Sequence, residues 1–94
     1  MNIRQLEAFR AVMLAGSTIG ASNLLQLSQS VVSRSVLALE ASFQMTLFDR
    51  TSGRLVPTRE AEMIYAEIEK AFNQFEKIEE LAREIRNADR GSIN

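Results

Sequence analysis

The stretch "SQSVVSRSVLALE", residues 28–40, decides how this chain folds. Its apolar residues recur at intervals of three and four, which predicts an amphipathic helix over residues 29–43 with Ser28 as its N-terminal cap. The predicted core side of this helix comprises Val32, Val36, Leu39 and Phe43. Helical periodicity places on the opposite side of the helix Ser30, Ser33, Arg34 and Leu37. Serine inside a helix competes with the backbone for hydrogen bonds, so the serines on this side do not favour helix stability.

Two shorter helices are predicted before this stretch. The first spans about residues 3–14, is capped by Asn2 and is followed by a glycine that ends it. The second spans about residues 18–25 and is capped by Ser17. Only residues 26–27 separate its end from the next cap. Such a short connection between two helices is typical of a helix-turn-helix.

A short β-hairpin is predicted after the third helix, over residues 46–58, "TLFDRTSGRLVPT". Two apolar pairs flank a polar turn that contains a glycine, and Pro57 ends the second strand. The tip of the hairpin offers Arg50 and Arg54. Three helices followed by such a hairpin form a winged helix-turn-helix, which we assign to residues 1–58. The predicted fold class is therefore mainly α.

A single long helix is predicted over residues 59–86, which contain no glycine or proline. Its apolar residues keep a heptad spacing, as in the seam of a coiled coil, over a length of about 42 Å. A small domain cannot cover so long a stripe, which predicts a homodimer; the alternative is that the stripe packs back onto the domain. The predicted dimer interface comprises Ile64, Ile68, Ala71, Phe72, Phe75, Ile78, Ala82 and Ile85. Residues 87–94 are assigned to a tail.

The composition excludes several kinds of site. The 94 residues contain no cysteine and no histidine, so a disulfide framework, a thiolate metal site and the commonest general base are all missing. There is also no glycine-rich phosphate loop, and the carboxylates of the long helix are spaced as partners of its lysines and arginines. We therefore expect no cofactor and no metal, and we expect that the protein is not an enzyme.

The charge pattern gives a weak indication of a binding face. The net charge is −1, yet residues 1–58 carry a small positive excess and residues 59–94 a negative one. The N-terminus does not resemble a signal peptide, and no apolar run approaches the roughly 20 residues of a membrane span. We expect a cytoplasmic location and no contact with a membrane.

The third helix carries residue types that can bind DNA. A major groove admits one helix, and glutamine, arginine and serine can all hydrogen-bond to base edges or phosphates. Arg54 could enter a minor groove, whereas Arg50 could reach a phosphate or brace the wing. The alternatives are a solvated helix face, and arginines that are surface charges or pair with Asp49. The candidate DNA contacts are Ser28, Gln29, Ser30, Ser33, Arg34, Leu37, Arg50 and Arg54.

The chain resembles LysR-type transcriptional regulators over residues 3–62. The family's usual opening, "LRQLxxFxxVxxxGSxxxAAxxLxxSQPAxSxxIxxLExxLGxxLFxRxxxxxxLTxAG", stands here without a gap as "IRQLEAFRAVMLAGSTIGASNLLQLSQSVVSRSVLALEASFQMTLFDRTSGRLVPTREAE". The resemblance implies a winged helix-turn-helix that binds double-stranded DNA as a dimer. It implies DNA contacts at Gln29, Ser30, Ser33, Arg34 and Arg54.

Several residues depart from the family pattern. Ser30 replaces a usual proline at the start of the third helix, which loosens its first turn and adds a hydroxyl. Leu37 is apolar where a polar residue is frequent, and it could contact a thymine methyl. Ser22 stands where the family usually has alanine, in the second helix. These departures leave the base preference open.

The family also has a larger domain that binds a small-molecule effector, and no part of this chain corresponds to it. We expect the chain to be a piece of a longer regulator, which could form tetramers. The alternative to a DNA-binding protein is a helical module that binds only proteins, which the near-neutral net charge favours slightly.

Overall fold

Four helices and one short hairpin make up residues 1–89, the part of the chain that the computed structural model describes. The elements in order are α1 (Ile3–Ala15), α2 (Thr18–Leu25), α3 (Gln29–Phe43), β1 (Phe48–Asp49), β2 (Val56–Pro57) and α4 (Arg59–Asp89). The predicted winged helix-turn-helix with a long helix after it is confirmed. One predicted boundary is wrong, because residues 87–89 continue α4 instead of belonging to a tail. The rest of that predicted tail, residues 90–94, lies outside the described residues.

Side-chain caps start the first three helices at the predicted positions. Asn2 Oδ1 accepts the N–H of Gln5 at 2.9 Å, and Gln5 Oε1 accepts the N–H of Asn2 at 3.2 Å, which completes a capping box. The hydroxyls of Ser17 and Ser28 each accept a backbone N–H from the first turn of the next helix, at 2.9 and 3.3 Å. Each cap pairs an N–H that the helix itself leaves unpaired, so the start of each helix is fixed locally.

The first three helices all end in the left-handed backbone conformation. Gly16 has a φ of 82°, Gln26 of 57° and Gln44 of 55°. Glycine adopts this conformation without cost, whereas a side chain brings Cβ too close to the following carbonyl oxygen. The ends of α2 and α3 therefore carry a strain that the end of α1 does not.

The core lies where the three short helices meet the hairpin and the start of α4. Phe9 of α1 and Phe48 of β1 are both buried, with ring centroids 5.6 Å apart. The core side predicted for α3 is confirmed at three of its residues, which are buried, and the fourth, Phe43, packs partly buried against them. The buried residues of α3 and α4 are Val32, Val36, Leu39, Ala61 and Ile68.

The hairpin, or wing, depends on α3 for support. β1 and β2 pair antiparallel in strands of two residues each, with Phe48 opposite Pro57. Such a short ladder is not stable alone. The carboxylate of Glu40, in α3, accepts the backbone N–H of Leu47 at 2.7 Å and that of Phe48 at 3.1 Å. Glu40 therefore clamps the first strand of the wing to the third helix.

Thr58 connects the wing to α4. Its hydroxyl donates to the carbonyl oxygen of Thr46 at 2.9 Å and accepts the N–H of Ala61, in the first turn of α4, at 3.1 Å. Its own backbone N–H donates to the carbonyl oxygen of Leu47 at 2.9 Å. The long helix therefore starts in a fixed orientation relative to the wing.

The first half of α4 packs on the domain, and the second half projects from it. Arg10 Nε, in α1, donates to Glu69 Oε2 at 2.6 Å, and the Arg10 guanidinium lies 4.8 Å from the ring centroid of Phe72. Beyond Phe72, every described residue of α4 is exposed. The described chain is accordingly elongated, with extents of 60 × 25 × 19 Å.

Candidate nucleic-acid interface

The structure brings four of the predicted contact residues together on the side of α3 that faces away from the core. Leu37 is 53% exposed, Ser30 and Arg34 are exposed, and Ser33 is half-buried. We call these four residues the outer face of α3. The face is polar apart from Leu37, so it does not form part of the apolar core.

The N-terminal end of α3 is held by hydrogen bonds. Ser28 Oγ lies 3.2 Å from Ser30 Oγ, and Gln29 Nε2 donates to Thr18 Oγ1, at the start of α2, at 3.0 Å. One Nε2 hydrogen and the side-chain carbonyl oxygen of Gln29 remain for another partner. Sequence reasoning missed Thr18; a hydroxyl residue directly after the cap Ser17 was the available signal.

Arg34 is oriented by its own helix. Its Nε donates to the carbonyl oxygen of Ser30, one turn earlier, at 3.3 Å. Within residues 1–89 it makes no ion pair. Because the bond to Ser30 uses Nε, the two terminal nitrogens stay available for a bidentate contact, the geometry in which arginine binds a guanine edge or a phosphate.

Arg54 lies in the wing beside the start of α2. It is exposed, and it follows Gly53, whose φ of 79° suits the turn. The two residues line a shallow pocket of about 340 Å³ together with Ser17 and Thr18. The wing tip and the start of α2 therefore lie next to each other, on the same side of the molecule as the Gln29 end of α3.

Arg50, by contrast, is engaged within the protein. Its Nη1 donates to the carbonyl oxygen of Phe48 at 3.2 Å and lies 3.5 Å from the carboxylate of Glu40. Of the sequence-based alternatives, the structure favours bracing of the wing. Asp49 does not pair with Arg50; it accepts the N–H and the hydroxyl of Thr51, and these hydrogen bonds lower the pKa of Asp49.

The predicted dimer interface divides into two parts. Its first part packs on the chain's own domain: Ile68 is 6% exposed, and Ile64 and Phe72 are partly buried against the core. The second part is exposed, and the structure leaves it open to solvent. It comprises Phe75, Ile78, Ala82 and Ile85, whereas Ala71 is exposed but lies within the first part. Packing back onto the domain, one of the two sequence-based alternatives, therefore holds for the first part of the stripe, and dimer formation through the second part stays a prediction.

Two other kinds of site can be assessed over residues 1–89. No three His, Cys, Asp or Glu side chains in this part of the chain lie close enough together to hold a metal ion. None of its helices combines the length and the apolar character needed to cross a membrane.

Known proteins resemble this chain in sequence. A family model described as bacterial regulatory helix-turn-helix protein, lysR family, matches residues 3–62. The regulatory protein NocR of Agrobacterium fabrum (strain C58 / ATCC 33970) is 43% identical over 90 residues, which cover 96% of this chain and 30% of NocR. The transcriptional activator protein LysR of Escherichia coli (strain K12) is 34% identical over 94 residues, which cover 100% of this chain and 30% of that protein. The chain thus spans about a third of the length of these curated relatives.

The fold is also that of solved structures. The crystal structure of BenM_DBD in complex with catB site 1 DNA superposes with a TM-score of 0.84 at 26% identity, covering 92% of this chain and 97% of that one. The family model accounts for more than half of the chain, and both curated relatives are named as regulators. The chain therefore belongs to the LysR family of bacterial regulatory helix-turn-helix proteins.

Proposed function

We propose that this chain binds specific sequences of double-stranded DNA and that α3 enters the major groove. The observation that carries the proposal is the outer face of α3, where Arg34 and two serines lie together beside the oriented amide of Gln29. A major groove of about 12 Å is wide enough for one helix, which contacts bases through its N-terminal part. Two solved structures with the same fold contain DNA, BenM_DBD with catB site 1 and with benA site 1.

The proposal gives the two wing arginines different roles. Arg54 is exposed at the wing tip and would contact the minor groove or the DNA backbone. Arg50 would act indirectly, because its hydrogen bonds to Phe48 and Glu40 hold the wing in place. Loss of Arg50 should therefore weaken binding through the position of Arg54.

We further propose that the chain acts as a homodimer. The support is the exposed second part of the α4 stripe, since a row of isoleucines and a phenylalanine in water favours association. Two-fold symmetry of the protein would then require a pseudo-palindromic DNA site. Tetramer formation and a small-molecule effector stay predictions from the family resemblance, and a cytoplasmic location follows from the proposed binding to bacterial DNA.

A selection from random DNA duplexes at physiological salt tests the proposal. Wild type should enrich a two-fold symmetric sequence, and Arg34→Ala should relax the preference at one position of each half-site, at a cost of about 1–3 kcal/mol. Arg83→Ala is a matched control, because it removes the same charge from an exposed position on the projecting half of α4. If wild type enriches nothing, the module that binds only proteins becomes the better explanation.

A further inference from the structure

A groove adjoins the outer face of α3, on the side away from the wing. It has a volume of about 370 Å³ and separates the start of α1 from α3. From α3 it is lined by Arg34 and Ser35, among others, whereas Gln29 and Glu40 lie on the opposite flank and contact α2 and the wing. The outer face of α3 is thus bordered by the wing on one side and by the start of α1 on the other.

The charge of this groove is positive. Arg4 from α1 and Arg34 from α3 both line it, and no carboxylate does so within the described part of the chain. Glu7, one turn further along α1, lines a neighbouring groove with Arg4, yet Arg4 forms no salt bridge among residues 1–89. Arg4 is exposed, so a cationic side chain without an ionic partner stands at the edge of the groove.

The other polar side chains at the start of α1 are neutral and partly engaged. Asn2 and Gln5 line the groove too, and their side-chain oxygens accept each other's backbone N–H groups in the capping box. Their amide NH2 groups can still donate but carry no charge, so Arg4 is the α1 residue that offers cationic donors at this groove. The same capping box fixes the first turn of α1, so the backbone that carries Arg4 is held in place.

We propose that Arg4 binds a phosphate of the DNA backbone at the edge of the major groove that α3 enters. This inference rests on the proposed DNA binding. A helix of about 10–12 Å diameter fills the groove, so phosphates border it on both sides. The wing lies toward one of these strands and Arg4 toward the other. A phosphate contact carries no base information, so Arg4 is a positioning residue that fixes how α3 sits in the groove.

The test measures the affinity for the selected site and for a scrambled duplex at several salt concentrations. For Arg4→Ala, the slope of log affinity against log salt should become shallower by about 1.8, because the proposed dimer loses one phosphate contact in each protomer, at about 0.9 per contact. Its affinity should fall by a similar factor on both duplexes, whereas Arg34→Ala should lose more on the selected site. Arg4→Lys should keep the wild-type slope, because it keeps the charge.

Arg83→Ala again serves as the control for a general loss of positive charge, and it should leave the slope unchanged. An Arg4→Ala slope equal to wild type, or an equal change in Arg83→Ala, overturns the inference and leaves the proposed function intact. Wild type without any site preference overturns both. Circular dichroism of each variant establishes that it folds, and Arg4→Gln replaces Arg4→Ala if the alanine variant does not.

Discussion

Two glutamines occupy backbone positions that favour glycine. Gln26 and Gln44 end their helices at φ values of 57° and 55°, where Gly16 ends α1 at 82°. Serine caps and the capping box could be predicted because they join residues three apart in the chain. The left-handed glutamines could not, since glutamine has no preference for this conformation and only the paths of α2 and α3 impose it.

Replacing Gln44 by glycine should raise the free energy of unfolding by about 0.5–1 kcal/mol, because the steric cost of Cβ at this φ disappears. For a domain of this size, the melting temperature should rise by roughly 4 °C. Thermal unfolding followed by circular dichroism measures the change. Gln44→Ala is the control: it keeps Cβ and should bring no gain. Equal stabilisation by alanine would show that backbone strain is not the cause.

At the scale of the elements, side-chain contacts from the helices hold the wing in place, because its two-residue strands are too short to be stable alone. The carboxylate of Glu40 pairs two backbone N–H groups of the buried residues Leu47 and Phe48 and contacts Arg50. Glu40→Ala should therefore lower the unfolding free energy by about 2–3 kcal/mol, as expected when buried donors lose their acceptor. Urea unfolding tests this. The same substitution at the exposed Glu79 should change stability by less than about 0.5 kcal/mol.

The contact between α1 and α4 predicts that the folding stability of the protein depends on pH. The hydrogen bond from Arg10 lowers the pKa of Glu69. A carboxyl group whose pKa is lower in the folded state adds stability above its ordinary pKa of about 4.3, and this stability is lost as the pH falls through the folded value. Glu69→Gln should thus be less stable than wild type at pH 7, by up to about 1 kcal/mol.

The difference between wild type and Glu69→Gln should shrink below about pH 4. Melting temperatures at pH 7 and pH 3 measure it, with Glu79→Gln as a control of equal charge on the exposed half of α4. A difference that is the same at both pH values would mean that the ion pair with Arg10 is not its source.

Contacts between side chains that are far apart in the sequence could not be predicted from it. The order of elements followed from caps, periodicity and turn residues, all of them local. The pair formed by Arg10 and Glu69 joins residues 59 positions apart, and Glu40 looks like any acidic residue on a helix. Nothing in their neighbourhoods indicates the partner, so the supports of the wing and of α4 emerged only from the structure.

At the scale of the whole molecule, the projecting half of α4 should govern association. Ile78→Glu should convert a dimer to a monomer, because it places a charge in the exposed stripe, while the helical content stays unchanged. Sedimentation velocity measures the mass. Leu37→Glu is the matched control, because Leu37 is an apolar residue outside the stripe that is 53% exposed, against 62% for Ile78, and the substitution should leave the mass unchanged. Two variants of equal mass would argue against the proposed dimer surface.

The heptad spacing alone could not separate the two parts of the stripe. Ile68 and Ile78 belong to the same periodic pattern, yet the first is buried in the chain's own core and the second is 62% exposed. A core-facing stripe and a dimer seam recur at nearly the same interval. The difference is where the domain ends along the helix, which depends on how α4 packs against α1.

Because α4 is one uninterrupted helix of 31 residues, the anchored half and the projecting half share a helical phase. One residue inserted between Phe72 and Phe75 would turn the projecting stripe by about 100° relative to the wing and α3. Seven would restore its direction to within about 20° and lengthen the arm by about 10 Å, roughly three base pairs of DNA. If the chain binds DNA as the proposed dimer, the number of residues in this segment, which lies far from any base, sets the spacing of the two half-sites in the DNA target.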